Sequence, residues 1–437
     1  MNILRRIPYI GGLILLAYMP FHIFLSQWLS TLTGGLDEWK LAKDVLTAAL
    51  VSFTVILVWQ QRKATRLFNL MVVLGLLYLG LHLLLWAVHP AIYKPSALLG
   101  IIYNNRLIWF LVIGWGARLL YPKGFELRRV VKLVLIISSI VAFLGVLQYF
   151  LPKDILTHFG YSAARGVKPD FFIDDNPSLP RVMSTLRDPN TLGAYLLLPM
   201  AILTGLVLHF KQWRKRLGAL GLLALHALAV LLTFSRSAWL AALLVVALVV
   251  WWQYHTWFMR VLRRFWPVFA IFIVLAGVGS YVARNTYFVK GVIVHSTGKP
   301  KAAYDSNGFH ILFVENGLRG IAHNPLGHGP GTAGLASIQN PKGSFLTENY
   351  YVQVGYEVGV LGLALFIVVN VLLYRGLLKR SNNQVAVALL ASFWGYVLTN
   401  MLLHMWSGEA VACQWWLLAG LVVAAPLAAK DKTTKPA

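Results

Sequence analysis

A short polar segment stands directly before an apolar run and has the composition of an anion site. Residues 181–190 read RVMSTLRDPN. Asp188 or Asn190 can cap a helix that begins there. Arginine forks bind phosphate through two parallel hydrogen bonds, and a helix N-terminus adds a favourable dipole. The segment therefore predicts one of two things: a capped helix beside two solvated arginines, Arg181 and Arg187, or a phosphate-binding site built from them.

Two further arginines occupy unusual positions. Arg236 stands between Ser235 and Ser237 in a predicted turn, where glycine, asparagine or aspartate is more common. This position favours a phosphate contact over a plain turn. Arg106 lies in the middle of the apolar run 97–117, where an unpaired cation costs several kcal/mol in lipid. Arg106 is therefore expected either to serve a wet functional cavity or to form a structural ion pair.

A polar stripe enters the apolar run 349–374. Asn349, Gln353 and Glu357 are four residues apart and share one face of a helix, which we predict to face the interior of a bundle. Glu348 stands just before them. Carboxylates at this depth act as general bases or as partners of arginine. The alternative for Glu357 is that it only neutralises a buried arginine.

The segment before this stripe contains histidines and glycines. Residues 323–331 read HNPLGHGPG, and His310 and Arg319 precede them. The glycine run lacks the preceding strand and the following basic residue of a nucleotide phosphate loop. The histidines, which include His328, lack a compact ligand spacing and no cysteine joins them, so we predict no metal site.

The composition places these residues in a membrane protein. The chain of 437 residues is 58% hydrophobic and 12% charged, whereas soluble domains carry about 25% charged residues. The net charge of +24 does not indicate nucleic-acid binding, because the basic residues lie between apolar runs and act as topology signals. Cys413, the one cysteine, lies in an apolar run and is expected to be a small core residue.

The apolar runs predict an all-α polytopic protein of about twelve transmembrane helices in one membrane domain, 1–437. Met1 to Trp28 is expected to be a retained first span, since no small-residue cleavage site follows it. The predicted spans lie near 8–29, 42–60, 67–88, 97–117, 130–151, 191–210, 217–234, 237–253, 266–283, 349–374, 385–404 and 411–428.

Lysine and arginine alternate regularly between the loops, which predicts that both termini are cytoplasmic. Apolar sequence over 217–253 is too long for one span and must turn back at 233–237, which carries Arg236 to the outer mouth. Two long loops, 152–190 and 284–347, then lie outside the membrane. Their mixed composition favours folded lids over disorder.

Together these segments resemble the O-antigen ligase and polymerase family of bacterial membrane enzymes. The stretches that carry the resemblance are 181–190, the SRSAW turn at 235–239, the PLGHGPG stretch at 325–331 and the two ends of ENYYVQVGYEVG at 348–359. Each is weak singly, and their order and outer placement make the set specific.

The resemblance implies a GT-C-like bundle in the bacterial cytoplasmic membrane, with no cofactor and no metal. It implies an inverting transfer of a glycan from an undecaprenyl-diphosphate-linked donor to a hydroxyl of a glycan or lipid acceptor, among membrane lipids and without nucleic acid. Arginines suit this chemistry because negative charge grows on the leaving diphosphate. The implied diphosphate-binding residues are Arg187, Arg236 and Arg106, then Arg181 and Arg319. The implied catalytic residues are Glu348, Glu357 and His310, supported by Asn190, Asn349, Gln353 and His328.

The chain departs from the family at two positions. Glu348 stands where many ligases have a histidine, and His310 stands near the position of an arginine. Glu348 could act as the base or only orient the acceptor, so ligase and polymerase chemistry both stay open. A secondary transporter or a flippase for lipid-linked glycans is the competing interpretation.

Overall fold

A computed structural model describes residues 3–122, 124–173, 176–283, 306–341 and 343–426. Within them, ten helical segments are long and apolar enough to cross a membrane, and a shorter apolar helix follows. The protein is therefore an all-α polytopic membrane protein, as the sequence predicts. The helices are α1 (Ile7–Tyr18), α2 (His22–Thr33), α3 (Leu36–Gln60), α4 (Arg66–Val88), α5 (Lys94–Leu120), α6 (Leu127–Phe150), α7 (Pro189–His209), α8 (Trp213–Leu232), α9 (Arg236–Ala283), α10 (Ser306–His323), α11 (Tyr350–Leu378), α12 (Gln384–Leu402) and α13 (Glu409–Val423).

The first span is bent rather than broken. A short 3-10 segment, Met19–Phe21, joins α1 to α2, and the whole apolar stretch Leu4–Thr33 forms one candidate span. Proline at residue 20 explains the change, because its ring removes a backbone donor from the helix ladder. Helix α2 packs against the first long loop through Ile23 and Phe24.

The structure departs from the sequence prediction at α9. The sequence predicts two spans, 237–253 and 266–283, whereas α9 continues as one helix from Arg236 to Ala283. Residues 254–266 contain neither glycine nor proline, and the nearest helix-breaking residue, Pro267, stands inside the second predicted span. The candidate span is its first part, Arg236–Thr256. The side chains of 265–283 lie outside the described residues, and the second predicted span stays a prediction.

Three helices form the interior of the bundle. Most of α5, α7 and α13 is buried, whereas α4, α6 and α8 present leucines and other apolar side chains outward, as lipid-facing helices do. Helices α5 and α13 approach each other closely at two glycines. A Cβ on Gly114 would lie 2.1 Å from the carbonyl oxygen of Leu417, and one on Gly420 would lie 2.2 Å from that of Leu111. Only glycine permits this contact.

The long segments between spans are folded where the structure describes them. The first contains a two-stranded antiparallel hairpin, β1 (Phe172–Ile173) and β2 (Asn176–Pro180), above a small apolar core around Leu156 and Tyr161. The second contains α10 and a 3-10 segment, Gly334–Gln339. Its residues 284–305, and the C-terminal residues from 427 onward, lie outside the described part of the chain.

Candidate functional site

Several helix ends meet at one end of the bundle. The backbone N–H of Val182 donates to the carbonyl of Leu232 at the end of α8 (3.1 Å), and the N–H of Tyr350 donates to that of Leu403 after α12 (3.2 Å). The first bond holds the segment before α7 against the turn that begins α9, and the second holds the start of α11 against the end of α12. Glu348 lies within electrostatic range of Asp188, and His404 within range of Arg187, so the two pairs of segments are neighbours. The segments 181–188 and 233–236 and the residues around 347 and 404 all lie at this end, which we call the site end.

The first turn of α7 places Arg187. Asp188 caps the helix: its Oδ1 accepts from the N–H of Thr191 (2.8 Å), and Pro189 occupies the first turn. The predicted cap is therefore confirmed. Arg187 is half-buried, and among the residues that the structure describes it has neither a hydrogen bond nor an ion pair. A partly desolvated guanidinium beside a helix N-terminus is suited to an anion.

Arg181 is fixed in place by two hydrogen bonds. Its Nε donates to the carbonyl of Thr233 (2.8 Å), and its Nη2 donates to Oδ1 of Asn190 (2.9 Å). Burial and the nearby Arg236 lower the pKa of Arg181, whereas Asp188 raises it. Arg181 therefore ties the turn between α8 and α9 to α7. This contact brings Arg236, the first residue of α9, to the same cationic region, as the predicted turn requires.

Glu348 and His310 face each other at the site end. Glu348 Oε2 lies 3.4 Å from His310 Nδ1, and the Glu348 side chain is only 19% exposed. Burial, with a smaller contribution from Asp188, raises the pKa of Glu348 to about 7. Burial and the charge of Arg236 lower the pKa of His310. A carboxylate with a pKa near neutrality beside a neutral imidazole is suited to accept a proton from a hydroxyl.

Glu348 has a strained backbone. Its φ is +48°, in the left-handed region that residues other than glycine rarely occupy. Such strain costs of order 1–3 kcal/mol and persists only where the surroundings impose it. The next residue, Asn349, is held in place on two sides: its side chain accepts from the N–H of Val352 at the start of α11 (3.0 Å) and donates to the carbonyl of Met401 (2.9 Å).

Two further residues belong to this region that the sequence alone does not single out. His404 is buried, its Nε2 lies 3.2 Å from the hydroxyl of Thr347, and burial with the charges of Arg187 and His310 lowers its pKa to about 3. Lys40 on α3 is within electrostatic range of Arg187. The available signal for Lys40 was its position in the charged stretch 37–44 at the start of an otherwise apolar helix.

Arg106 is found in an ion pair, and its implied contact with a diphosphate stays a prediction. It is fully buried, its guanidinium lies 3.3 Å from the Glu409 carboxylate on α13, and it donates to the carbonyl of Ser407. It also stacks over Tyr103 at 4.5 Å. The structural ion pair, which was the alternative for Arg106, is therefore the arrangement found, and its acidic partner is Glu409.

Glu357 holds the glycine-rich segment rather than an arginine. Its Oε1 accepts from the N–H of Gly331 (3.0 Å) and of Ala333 (3.3 Å), and its Oε2 accepts from Asn104 (2.7 Å). The expectation that Glu357 neutralises an arginine is not met among the described residues. Gln353, one turn earlier, is buried against Gly334. Both side chains face the bundle interior, as the polar stripe predicts.

Helix α11 breaks directly after Glu357, and the glycine-rich segment fills the break. Val358 and Gly359 have non-helical backbone angles. The carbonyl of Tyr356 accepts from the N–H of His328 (2.9 Å), and that of Glu357 accepts from Gly329 (2.8 Å). Backbone groups freed inside a membrane protein need such internal partners. The segment 325–331 therefore has a structural role, because it supplies hydrogen-bond donors to the carbonyls that the break in α11 leaves free. His328 stacks on Tyr356 with ring centroids 4.0 Å apart.

Arg319 lies outside the site. It is exposed on α10 and forms a surface ion pair with Glu315 one turn away (2.6 Å). Its guanidinium is solvated, and ion pairs of this kind contribute little to stability.

Within the described ranges, no group of three histidine, cysteine, aspartate or glutamate side chains lies close enough to hold a metal ion. Cys413 is buried in α13, as expected for a core residue.

Comparison with known proteins adds one match. A family model described as O-antigen ligase matches residues 221–367, which run from within α8 into the second half of α11. This range contains Arg236, His310 and Glu348, whereas Arg187 precedes it. No curated protein sequence matches the chain.

Proposed function

We propose that this chain, which matches a family model of O-antigen ligases over residues 221–367, transfers a glycan from an undecaprenyl-diphosphate-linked donor to an acceptor hydroxyl. The observation that carries the proposal is that a cation suited to a diphosphate and a carboxylate suited to act as a base lie at the same end of the bundle. Arg187 is a half-buried arginine without a partner among the described residues, and Glu348 is a largely buried carboxylate of raised pKa. His404 lies within electrostatic range of both Arg187 and His310, and His310 contacts Glu348. Leaving-group and acceptor chemistry need these two kinds of residue.

The donor diphosphate binds Arg187 and Arg236. As the bond between the anomeric carbon and the diphosphate oxygen breaks, negative charge grows on the leaving group, and preorganised cations stabilise it there. Asp188 and Asn190 do not compete for Arg187, because they are engaged with Thr191 and Arg181 respectively. Lys40 adds a third cation on the side of α3.

The acceptor hydroxyl approaches Glu348. The ionised carboxylate takes the hydroxyl proton while the oxygen attacks the anomeric carbon from the face opposite the diphosphate, which inverts the configuration. His310 contacts Glu348 and orients it. This assigns to Glu348 the position that a histidine has in many ligases. The chemistry needs no metal, because the cations stabilise the diphosphate.

The outer membrane face is part of the proposal. With the N-terminus in the cytoplasm, the clusters that contain Arg62, Arg128 and Arg214 lie inside, and the site end lies outside. A lipid-linked glycan is presented there. Both termini are then cytoplasmic.

The decisive experiment uses the purified protein in proteoliposomes with a polyprenyl-diphosphate-linked glycan and a defined acceptor. Wild-type protein is expected to form the elongated or ligated product, and Arg236→Ala is expected to lose it while inserting normally. Full activity of Arg236→Ala would refute the role of that arginine. Arg319→Ala is the matched control, since Arg319 is exposed and paired on the surface.

One observation favours the competing transport function. A broken membrane helix such as α11 is typical of secondary transporters. In this chain, however, the freed carbonyls of Tyr356 and Glu357 are occupied by His328 and Gly329, so they do not coordinate an ion. Flux of a fluorescent lipid-linked glycan across proteoliposomes without glycan transfer would favour the transporter.

A further inference from the structure

A large apolar groove lies beside the site, outside the residues assigned above. Its volume is about 610 Å³, and its walls come from α1, α2, α6 and the first long loop. Ile14 and Ala17 on α1 face Leu144 and Leu147 on α6 across it, and Phe24 contributes from α2. The lining is almost entirely apolar. The groove is therefore suited to a hydrocarbon chain.

The groove is built together with the segment that carries Arg187. Gln148 lines the groove, and its Oε1 accepts from the backbone N–H of Met183 (3.0 Å) and of Ser184 (2.8 Å). Thr185, also in the wall, donates its hydroxyl to the carbonyl of Pro20 at the bend between α1 and α2 (2.8 Å). Arg187 therefore follows the groove wall by only two residues in the chain.

The backbone of this wall is held under strain. Ser184 has φ +56°, and its hydroxyl donates to the carbonyl of Val141 on α6 (2.8 Å). A left-handed serine costs free energy that the surrounding contacts must offset. The contacts to Gln148 and Val141 supply that compensation. The turn therefore fixes the distance between the groove and Arg187 instead of leaving it to a flexible loop.

Two cationic residues, Arg165 and Lys40, lie close to the groove. Arg165 of the first long loop donates through Nε to Oε1 of Gln27 (3.1 Å), which lies one turn beyond Phe24 on α2. Lys40 donates to the backbone carbonyl of Arg165 (3.2 Å) and lies within electrostatic range of Arg187. An apolar channel that continues into a cluster of cations matches a molecule with a long hydrocarbon chain and an anionic head.

We propose that this groove holds the polyprenyl chain of the diphosphate-linked donor, so that the chain lies between α1 and α6 while the diphosphate reaches Arg187. The inference rests on the proposed function and adds the location of the lipid part of the substrate. In this proposal Ala17, Leu144 and Leu147 contact the lipid chain and help to select the donor, and they take no part in the chemistry.

The first test fills the groove. Ala17→Trp places an indole between α1 and α6, and Ala224→Trp is the matched control, because Ala224 is exposed on α8 away from the groove. Each variant is assayed in transfer with a long-chain donor and with a water-soluble donor of one or two isoprene units. Ala17→Trp is expected to raise KM for the long-chain donor at least tenfold, with kcat/KM for the short-chain donor unchanged and with Ala224→Trp like wild type.

Two results of this test would overturn the groove assignment while leaving the proposed function intact. One is an unchanged KM of Ala17→Trp for the long-chain donor. The other is an equal loss on both donors at a folded yield like that of the wild type, because the groove assignment requires a loss confined to the long-chain donor. Failure of the wild type on every donor would count against the proposed function instead.

The second test needs no turnover. Polyprenyl diphosphate with a photoreactive diazirine at the chain end is bound to the wild type and irradiated, and the labelled peptides are sequenced. Labels are expected on α1 and α6, displaced by unlabelled polyprenyl diphosphate and lost in Ala17→Trp. Labels mainly on α8 would place the chain outside the groove, and equal displacement by phosphatidylethanolamine would show that the groove binds ordinary membrane lipid. Either result would overturn the assignment.

Discussion

Glu348 Oε2 lies 3.4 Å from His310 Nδ1, although one residue precedes α11 and the other lies on α10. The contact joins the two positions at which the chain departs from the family that it resembles. We infer that the pair works as a unit, in which the carboxylate takes the proton and the imidazole orients it.

Replacement of the base should therefore be costly. Glu348→Gln keeps the size of the side chain and removes its basicity, so kcat is expected to fall by about 10²–10⁴-fold, the usual contribution of a general base. Transfer rates of the purified variant measure this. His310→Asn is expected to lose less, because it removes only an orienting contact. Glu348→Gln with more than a tenth of the wild-type kcat would contradict the assignment.

The pH dependence follows from the same carboxylate. Burial raises the pKa of Glu348 to about 7, and a base acts only when ionised. The rate is therefore expected to rise with pH through about 7, with about a tenfold loss for each unit below it. The pH profile of kcat/KM measures this rise. A profile that is flat between pH 5 and 8 in the wild type would argue against a base of this pKa, and Glu348→Gln should lack the rise.

Replacement of Arg187 and replacement of Arg319 should affect transfer activity differently. Arg187→Ala removes a cation that has no partner among the described residues, and loss of one preorganised donor costs about 10²–10³-fold in kcat. Arg319→Ala removes an exposed cation paired with Glu315 and should leave transfer within about twofold of the wild type. Equal effects of the two substitutions, at matched expression, would show that Arg187 is not a diphosphate ligand.

Arg106 is expected to matter for folding. Arg106→Met leaves Glu409 buried without its ion-pair partner, and such a loss costs about 3–5 kcal/mol. Thermal unfolding in detergent should show a lower Tm for this variant, and Arg106→Met with Glu409→Gln should recover most of it. A double variant as unstable as the sum of the two single variants would indicate that the pair is not coupled.

The glycine-rich segment should tolerate no side chain at residue 331. A Cβ on Gly331, at φ +74°, would lie 2.0 Å from the backbone oxygen of Ser96. Gly331→Ala is therefore expected to lower folded yield strongly. Gly34→Ala is the control, because Gly34 has φ +72° and a Cβ there would meet nothing within 4 Å. Equal folded yields, measured by size-exclusion chromatography, would exclude close packing as the role of the segment.

Local sequence signals predicted much of the fold and part of the site. The cap at Asp188 and the turn before Arg236 are encoded within a few residues, and both are found where expected. The apolar runs predicted the membrane fold because lipid imposes a simple length requirement on each span. The predicted break between residues 253 and 266 is not found, because the charged residues there do not end a helix and Pro267 stands beyond them.

Contacts between distant segments could not be predicted in this way. Arg106 on α5 meets Glu409 on α13, and Glu357 meets the backbone of Gly331. Each partner has a plausible local role by itself, and only the packing of the bundle selects the pair. Lys40 and His404 could not be predicted either, because both lie outside the motifs that indicated the site and only the packing of the helices brings them to it.

The central claim is tested most directly by following both products of the wild-type enzyme at once. Proteoliposomes that hold the purified protein and a polyprenyl-diphosphate-linked glycan should release polyprenyl diphosphate and form the new glycosidic bond in a one-to-one ratio. Both products should disappear together in Arg187→Ala. Product formation that persists in Arg187→Ala at the wild-type rate, or a wild type that forms neither product with any acceptor, would contradict the account.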